Sequence, residues 1–103
     1  MPTVYCTAPR GEADELVETL LEERLVACVN SVPCTSRYRW EGEVHRDEEV
    51  ILFAKTTAEA YDDLVERLVE IHPYDVPCIE RFDEDHVIES FRGWRAGAVE
   101  PPV

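Results

Sequence analysis

The sequence predicts an α+β fold in which two helices pack on one face of a single antiparallel sheet. Extended and helical patterns follow one another in the order strand, helix, strand, strand, helix, strand along the 103 residues. Both helical patterns are amphipathic, and the two central strands are long enough to form one extended hairpin. This order is that of the ferredoxin-like split β-α-β-β-α-β sandwich.

The first strand and the first helix are predicted by a change in the spacing of the apolar residues. Residues 4 to 8 read as a short strand, which Pro9 and Gly11 terminate. Apolar side chains then recur at the spacing of one helical face, and acidic residues occupy the other face. The apolar positions of this amphipathic helix are Ala13, Leu16, Val17, Leu20 and Leu21.

A long hairpin is predicted for the middle third of the chain. Residues 26 to 40 are rich in Val, Thr, Tyr and Trp, which favour extended structure. Glu41 and Gly42 then offer a tight reversal, and residues 43 to 55 return as a second extended segment. We therefore expect the two long strands to pair with each other.

The second helix is predicted from a start signal, an apolar stripe and a stop signal. Thr56 and Glu59 have the spacing of a capping box. Apolar residues continue at helical spacing as far as His72. Pro73 follows, and it ends the helix because proline cannot continue one.

The C-terminal part is predicted to contain a short strand, a turn and a short helix. Residues 77 to 82 read as the strand. The acidic run at residues 83 to 85 and His86 lack fixed geometry, and such a run typically forms a solvated turn. The helix over residues 87 to 94 is expected to pack one apolar side, formed by Val87, Ile88, Phe91 and Trp94.

Length and charge restrict the classes of function. A chain of 103 residues and 11.8 kDa predicts one domain over residues 1–103. With 23 Asp and Glu against 10 Lys and Arg, the net charge of −13 would repel nucleic acid and anionic membranes. Lys55 is the single lysine, and this acidic, lysine-poor composition resembles that of proteins from salt-loving organisms.

The cysteines and the start of the chain predict a cytoplasmic protein. Cys6, Cys28, Cys34 and Cys78 form no C-x-x-C pair and have no zinc-finger spacing, which favours free thiols in a reducing compartment. The first residues lack the basic start and the apolar stretch of a signal peptide. No apolar run is long enough to span a bilayer.

One face of the predicted sheet has no helix to cover it. The strand segment at residues 50 to 54 is apolar at every position, so side chains on both of its faces require burial. Tyr38 and Trp40 point to the same side near the hairpin tip, where a monomer would expose them. An irregular loop over the sheet is the alternative, but the connections are short. Oligomerisation through the hairpin is therefore favoured.

Four motifs resemble one known family in order and spacing. They are Ala27-Cys28-Val29-Asn30, Tyr38-Arg39-Trp40-Glu41-Gly42-Glu43-Val44, Lys55-Thr56 and His72-Pro73-Tyr74-Asp75-Val76-Pro77. On these motifs the chain resembles the CutA divalent-cation-tolerance family over residues 3 to 94. The resemblance implies a ferredoxin-like subunit in a compact homotrimer, tolerance to copper and other divalent metals, and a trimer similar to those of nitrogen-regulatory signalling proteins. Cys78 stands where the family usually carries a glutamate.

Three residues are the candidate metal ligands. His72 ends the second helix within the family motif, and neutral imidazole suits copper, nickel and zinc, although stabilising the helix end is the alternative. Cys28 and Cys78 are soft ligands for reduced copper, although a buried structural role is the alternative for Cys28. The sequence thus predicts copper as the cofactor, with other divalent metals left open.

Three further residues are the candidates for binding a small molecule. Lys55 lies where a strand meets a helix start and could hold an anion there, or its side chain could extend into solvent. Tyr74 and Trp40 are expected at subunit contacts. An anionic ligand in an inter-subunit cleft is therefore the alternative to metal binding. No catalytic triad, phosphate loop or metalloprotease motif is present, so the sequence predicts no enzyme.

Overall fold

The computed structural model describes residues 1–99, and it confirms the predicted α+β fold. The elements are β1 (Pro2–Pro9), α1 (Ala13–Glu22), β2 (Cys28–Trp40), β3 (Glu43–Lys55), α2 (Tyr61–Ile71), β4 (Ile79–Asp83) and α3 (Glu89–Ala98). The strands form one antiparallel sheet in the order β2-β3-β1-β4. Within residues 1–99 no helix has both the length and the apolar character needed to cross a membrane.

The long central hairpin is confirmed over its whole length. β2 and β3 pair from Cys28 opposite Lys55 to Trp40 opposite Glu43. Both turn residues have positive φ, 50° at Glu41 and 80° at Gly42, as a type I′ turn requires. The protein measures 45 × 27 × 20 Å, and Trp40 at the hairpin tip is 46% exposed. The hairpin therefore presents large side chains away from the core.

The sheet has two unlike faces. On the helix face, alternate residues of β1 and β3 pack with the apolar stripes of α1 and α2 to form the core. These residues are Val4, Cys6, Ala8, Val50, Leu52, Ala54, Leu16, Leu20, Leu64 and Leu68. The opposite face, called the open face below, carries the intervening residues, which include Tyr5, Thr7, Cys34, Glu49, Ile51, Phe53 and Phe82. No helix of the core cluster covers the open face.

The predicted capping box at Thr56 is wrong. The Thr56 hydroxyl donates to the carbonyl of Leu25 at 2.8 Å, so it belongs to a tertiary contact. The next residue, Thr57, accepts a hydrogen bond from the Ala60 amide at 3.2 Å. As a result α2 begins at Tyr61, one turn later than the capping box would place it.

The predicted apolar side of the last helix is wrong at Ile88 and Trp94, whereas Val87 and Phe91 are half-buried. α3 begins at Glu89, and Ile88 and Trp94 are 62% and 53% exposed. The one buried residue of α3 is Arg95, at 1% exposure. A charged residue thus anchors α3, because its donors meet acceptors at the start of β1, after β3 and after β4.

Arg95 and Glu84 form a buried ion pair at the sheet edge. The Arg95 guanidinium donates to Glu84 at 2.9 Å, to the Thr56 carbonyl at 2.7 Å and to the Pro2 carbonyl. Glu84 also accepts a hydrogen bond from the Thr3 hydroxyl. Burial raises the pKa of Glu84, but the hydrogen bonds from Thr3 and Arg95 outweigh burial and hold it at about 2. The expected solvated turn at residues 83 to 86 is therefore wrong at Glu84.

Candidate functional site

A groove of about 580 Å³ lies on the open face, where the hairpin meets the loop after α2. β1 and β3 form its floor with Thr7 and Glu49. β2 supplies Ser36, Arg37, Tyr38 and Trp40, and the loop supplies Pro73, Tyr74, Asp75, Val76 and Cys78. The sequence-based expectation that Tyr38 and Trp40 point to one side is confirmed, because both line this groove.

His72 directs the loop across the end of the sheet. It follows the last residue of α2 and has an extended backbone, and its side chain is only 7% exposed. Its Nε2 lies 2.8 Å from the Thr7 carbonyl, which can only accept, and its Nδ1 accepts from the Tyr74 amide at 3.1 Å. These contacts fit the neutral imidazole with its proton on Nε2. Both ring nitrogens are thus used to position the loop.

Tyr74 and Glu49 meet at the floor of the groove. The Tyr74 hydroxyl donates to Oε2 of Glu49 at 2.7 Å, and Glu49 is only 4% exposed. Burial raises the pKa of Tyr74 well above its ordinary value, and the hydrogen bond to Glu49 raises it further. Tyr74 therefore stays protonated and acts as a hydrogen-bond donor to the carboxylate.

Cys78 is the exposed thiol of the open face. Its Sγ lies 3.6 Å from Oε1 of Glu80. Partial burial and the nearby charge of Glu80 raise the pKa of Cys78, against a smaller opposing effect from Thr7. By contrast, Cys6 is 1% exposed, and burial raises its pKa to about 12. All four cysteines are free, and Cys78 is the one classed as exposed.

Comparison with known proteins decides the family. The model of the CutA1 divalent ion tolerance protein matches residues 2–98. This chain belongs to the CutA1 family. The predicted resemblance is thereby confirmed, and the match includes every residue that lines the groove.

Individual CutA1 relatives agree in sequence and in structure. The divalent-cation tolerance protein CutA of Pyrococcus horikoshii is 45% identical over 95 residues, which are 91% of this chain and 93% of that protein. The crystal structure of CutA1 from Pyrococcus horikoshii has a TM-score of 0.93 at 40% identity, covering 97% and 99% of the two chains. A PII-like protein CutA from Nostoc has a TM-score of 0.95 at 29% identity, covering 99% and 100%. The first two relatives are named for divalent ion tolerance or for the family, and not for a reaction.

The three predicted metal ligands do not form one cluster in this CutA1 subunit. Within residues 1–99, no group of three or more His, Cys, Asp and Glu side chains is arranged to hold a metal ion. Cys28 lies opposite Lys55 at the base of the hairpin, whereas Cys78 borders the groove nearer the hairpin tip. His72 is committed to its two hydrogen bonds. Within residues 1–99 the three residues therefore do not form a metal site together.

Of the three predicted small-molecule ligands, Trp40 and Tyr74 come together in the groove and Lys55 does not. Lys55 lies at the far end of β3, six residues along the strand from Glu49. Its Nζ donates to the Thr3 hydroxyl at 3.3 Å, and that hydroxyl donates to Glu84. The carboxylate of Glu84 makes this end of the sheet unfavourable for an anion.

Sequence reasoning missed the buried charges. Glu49 reads as one of several acidic residues before an apolar strand, and only the contact with Tyr74 reveals its place in the groove. Arg95 and Glu84 likewise pair across 11 residues through side-chain packing. Neither pair has a local spacing signal, because both depend on tertiary structure.

Proposed function

We propose that this CutA1 family member is a homotrimer that binds copper on the open face, with Cys78 as the first ligand. The observation that carries this proposal is the exposed Cys78 thiol beside the Glu80 carboxylate at the edge of the groove. A thiolate is a soft ligand that favours copper, above all in its reduced state. The charge of −13 on each subunit also attracts cations to the surface.

Support for the trimer comes from the apolar side chains of the open face. Tyr5 packs edge-to-face against Phe53 and Phe82, with ring centroids 5.7 and 5.9 Å apart. Within residues 1–99 this aromatic cluster stays partly open to solvent, since Phe82 is 52% exposed and Tyr5 and Phe53 are only half-buried. Val32 of the edge strand β2 is 44% exposed. Such exposed apolar surface and an open sheet edge favour contact with further copies of the chain.

The copper proposal requires donors from more than one subunit. Cys78 and Glu80 together give two donors, and copper binding needs further ligands or water. In a trimer built on the open face, a neighbouring subunit supplies the remaining donors. A reducing compartment such as the cytoplasm would keep Cys78 as a free thiol, and we propose that the protein works there.

The alternative of an anionic ligand at Lys55 has less structural support. Lys55 already donates to Thr3, and Glu84 lies on the other side of that hydroxyl. The helix that follows begins only at Tyr61, so its N-terminus does not reinforce the charge of Lys55. We therefore retain metal binding as the proposed function, and it requires no chemical reaction at the site.

Cys78→Ser is expected to weaken the binding of Cu(I) by at least about tenfold. Mutating a residue that only orients a metal ligand already lowers metal affinity by about that factor, and loss of the ligand itself should lower it at least as much. The matched control is Cys28→Ser. It removes a partly buried thiol at the start of β2, opposite Lys55 and outside the groove, and it should leave the copper affinity unchanged. Anaerobic titration against a competing chromogenic chelator, in high salt, measures both. Equal affinities of wild type and Cys78→Ser would remove Cys78 from the site.

The copper affinity is expected to rise with pH from 6.5 to 8.5, by up to about tenfold per unit. The reason is that the thiolate coordinates, and the raised pKa of Cys78 keeps the thiol protonated through this range. The same titration repeated across pH measures the slope, which Cys78→Ser should abolish. A slope confined to the region near 6.5, where free histidine titrates, would indicate an imidazole ligand instead.

A further inference from the structure

Glu49 is a buried carboxylate that no cation pairs within the described part of the chain. Its side chain is 4% exposed, and it takes part in no salt bridge of residues 1–99. Within the same residues, its one side-chain hydrogen bond comes from Tyr74 to Oε2, and Oε1 has none. The nearby guanidinium of Arg10 contacts the Glu49 backbone carbonyl and pairs with Glu48 instead.

We propose that the groove binds a small organic cation, whose ammonium group pairs with the Glu49 carboxylate. Most of the Glu49 side chain is buried, but Oε1 is not sealed off, so a cation in the groove can reach it. Pairing a largely buried carboxylate with a charge is favourable, and the neutral phenol of Tyr74 compensates it only in part. Glu49 is also one of the residues that line the groove, so a ligand there reaches it. A bound cation would supply the missing partner.

The walls of the groove suit the same ligand. Tyr38, Trp40 and Tyr74 all line it, and the faces of aromatic rings attract ammonium groups. Asp75 adds a second carboxylate, and Arg37 is the one cation among the lining residues, so the charged side chains of the lining carry a net negative charge. The volume of about 580 Å³ lies within the range of small-molecule sites and exceeds what a bare metal ion fills. An apolar body carrying an amine therefore fits better than an ion alone.

This inference rests on Glu49 and the copper proposal rests on Cys78, although both residues line the same groove. It also differs from the sequence-based alternative in the sign of the ligand. That alternative placed an anion near Lys55, whereas the groove presents the carboxylate of Glu49 and lies at the other end of β3.

The test compares benzylamine with benzyl alcohol, which share a ring and differ in the cationic group. Trp94→Phe leaves Trp40 as the single tryptophan, so fluorescence reports on the groove. Salt at about 0.3 M suppresses non-specific attraction to the acidic surface. We expect benzylamine to bind at least roughly tenfold more tightly than benzyl alcohol, as a charge-assisted hydrogen bond predicts. Equal affinity for the two probes, or binding of neither, would overturn the proposal without bearing on copper.

In the same Trp94→Phe background, Glu49→Gln should remove this preference, because glutamine keeps the shape and the acceptor for Tyr74 but not the charge. The matched control is Glu66→Gln, at an exposed carboxylate of α2 outside the groove lining, and this variant should bind benzylamine as before. An unchanged preference in Glu49→Gln would overturn the assignment. A changed oligomeric state of Glu49→Gln would also overturn it, because Glu49 would then serve a subunit contact.

Discussion

Glu84→Ala is expected to lower the free energy of unfolding by about 3 kcal/mol, the usual cost of removing one partner of a buried ion pair. Arg95 is 1% exposed, so its guanidinium cannot regain water when the carboxylate is lost. It would keep only the carbonyls of Thr56 and Pro2. The Thr3 hydroxyl would lose its acceptor as well. Chemical denaturation at neutral pH measures this difference.

Acid titration of the wild type tests the same pair without removing atoms. The pKa of Glu84 is lowered to about 2 from an ordinary 4.5, so its contribution is complete above pH 4.5 and is lost as the pH falls towards 2. Loss of stability on acidification and loss in Glu84→Ala should therefore have the same sign, because both remove the charge that Arg95 pairs with. Asp85→Ala, at an exposed neighbour, should change stability by less than about 0.5 kcal/mol. Equal stabilities of Glu84→Ala and Asp85→Ala would contradict the structural role of the pair.

Phe82→Asp is expected to dissociate the assembly. In an isolated subunit Phe82 is 52% exposed, so the introduced carboxylate would remain hydrated. The free energy of unfolding would then fall only by the lost contact with Tyr5. In a trimer that buries the open face, the same charge would be unpaired and buried, at a cost of several kcal/mol. The effect should therefore appear as a loss of mass in solution.

The matched control is Ile88→Asp, because Ile88 is 62% exposed and lies between β4 and α3, outside the sheet. This variant should keep the assembly of the wild type, as measured by sedimentation velocity. If Phe82→Asp assembled as fully as Ile88→Asp, the open face would not be the contact between subunits.

The parts of the fold that depend on local patterns could be predicted from the sequence. The hairpin followed from two extended segments around Glu41 and Gly42, and their positive φ values fit a turn of that kind. The open face followed from the apolar run at residues 50 to 54, whose side chains alternate between the core and the open face. Both inferences depend only on the spacing of residues along the chain, which can be read from the sequence.

The parts that depend on contacts distant in sequence could not be predicted. Thr56 had the spacing of a cap, but its hydroxyl is taken by the Leu25 carbonyl. Arg95 lies beyond the helix that the sequence predicted and was given no role, yet acceptors at Pro2, Thr56 and Glu84 hold its side chain in the interior. Charge on a helix normally indicates the exposed face, and this rule fails where acceptors far along the chain satisfy the charge.

The sequence singled out three residues that the structure brings together. Trp40, Tyr74 and Cys78 do line one groove, since the hairpin and the loop after α2 meet on the open face. His72 proved to be a positioning residue, because the Thr7 carbonyl and the Tyr74 amide occupy its two nitrogens. The position of His72 after an amphipathic helix does not reveal these hydrogen-bond partners, because the Thr7 carbonyl is distant in sequence.

The central claim is that the open face joins copies of this chain, and the mass of the purified protein in solution tests it most directly. Light scattering on the eluate of a gel-filtration column, at micromolar concentration and high salt, gives that mass without a shape assumption. We predict about three times the 11.8 kDa of one chain. A mass of 11.8 kDa would contradict the claim, and with it the proposal that neighbouring subunits complete the copper site.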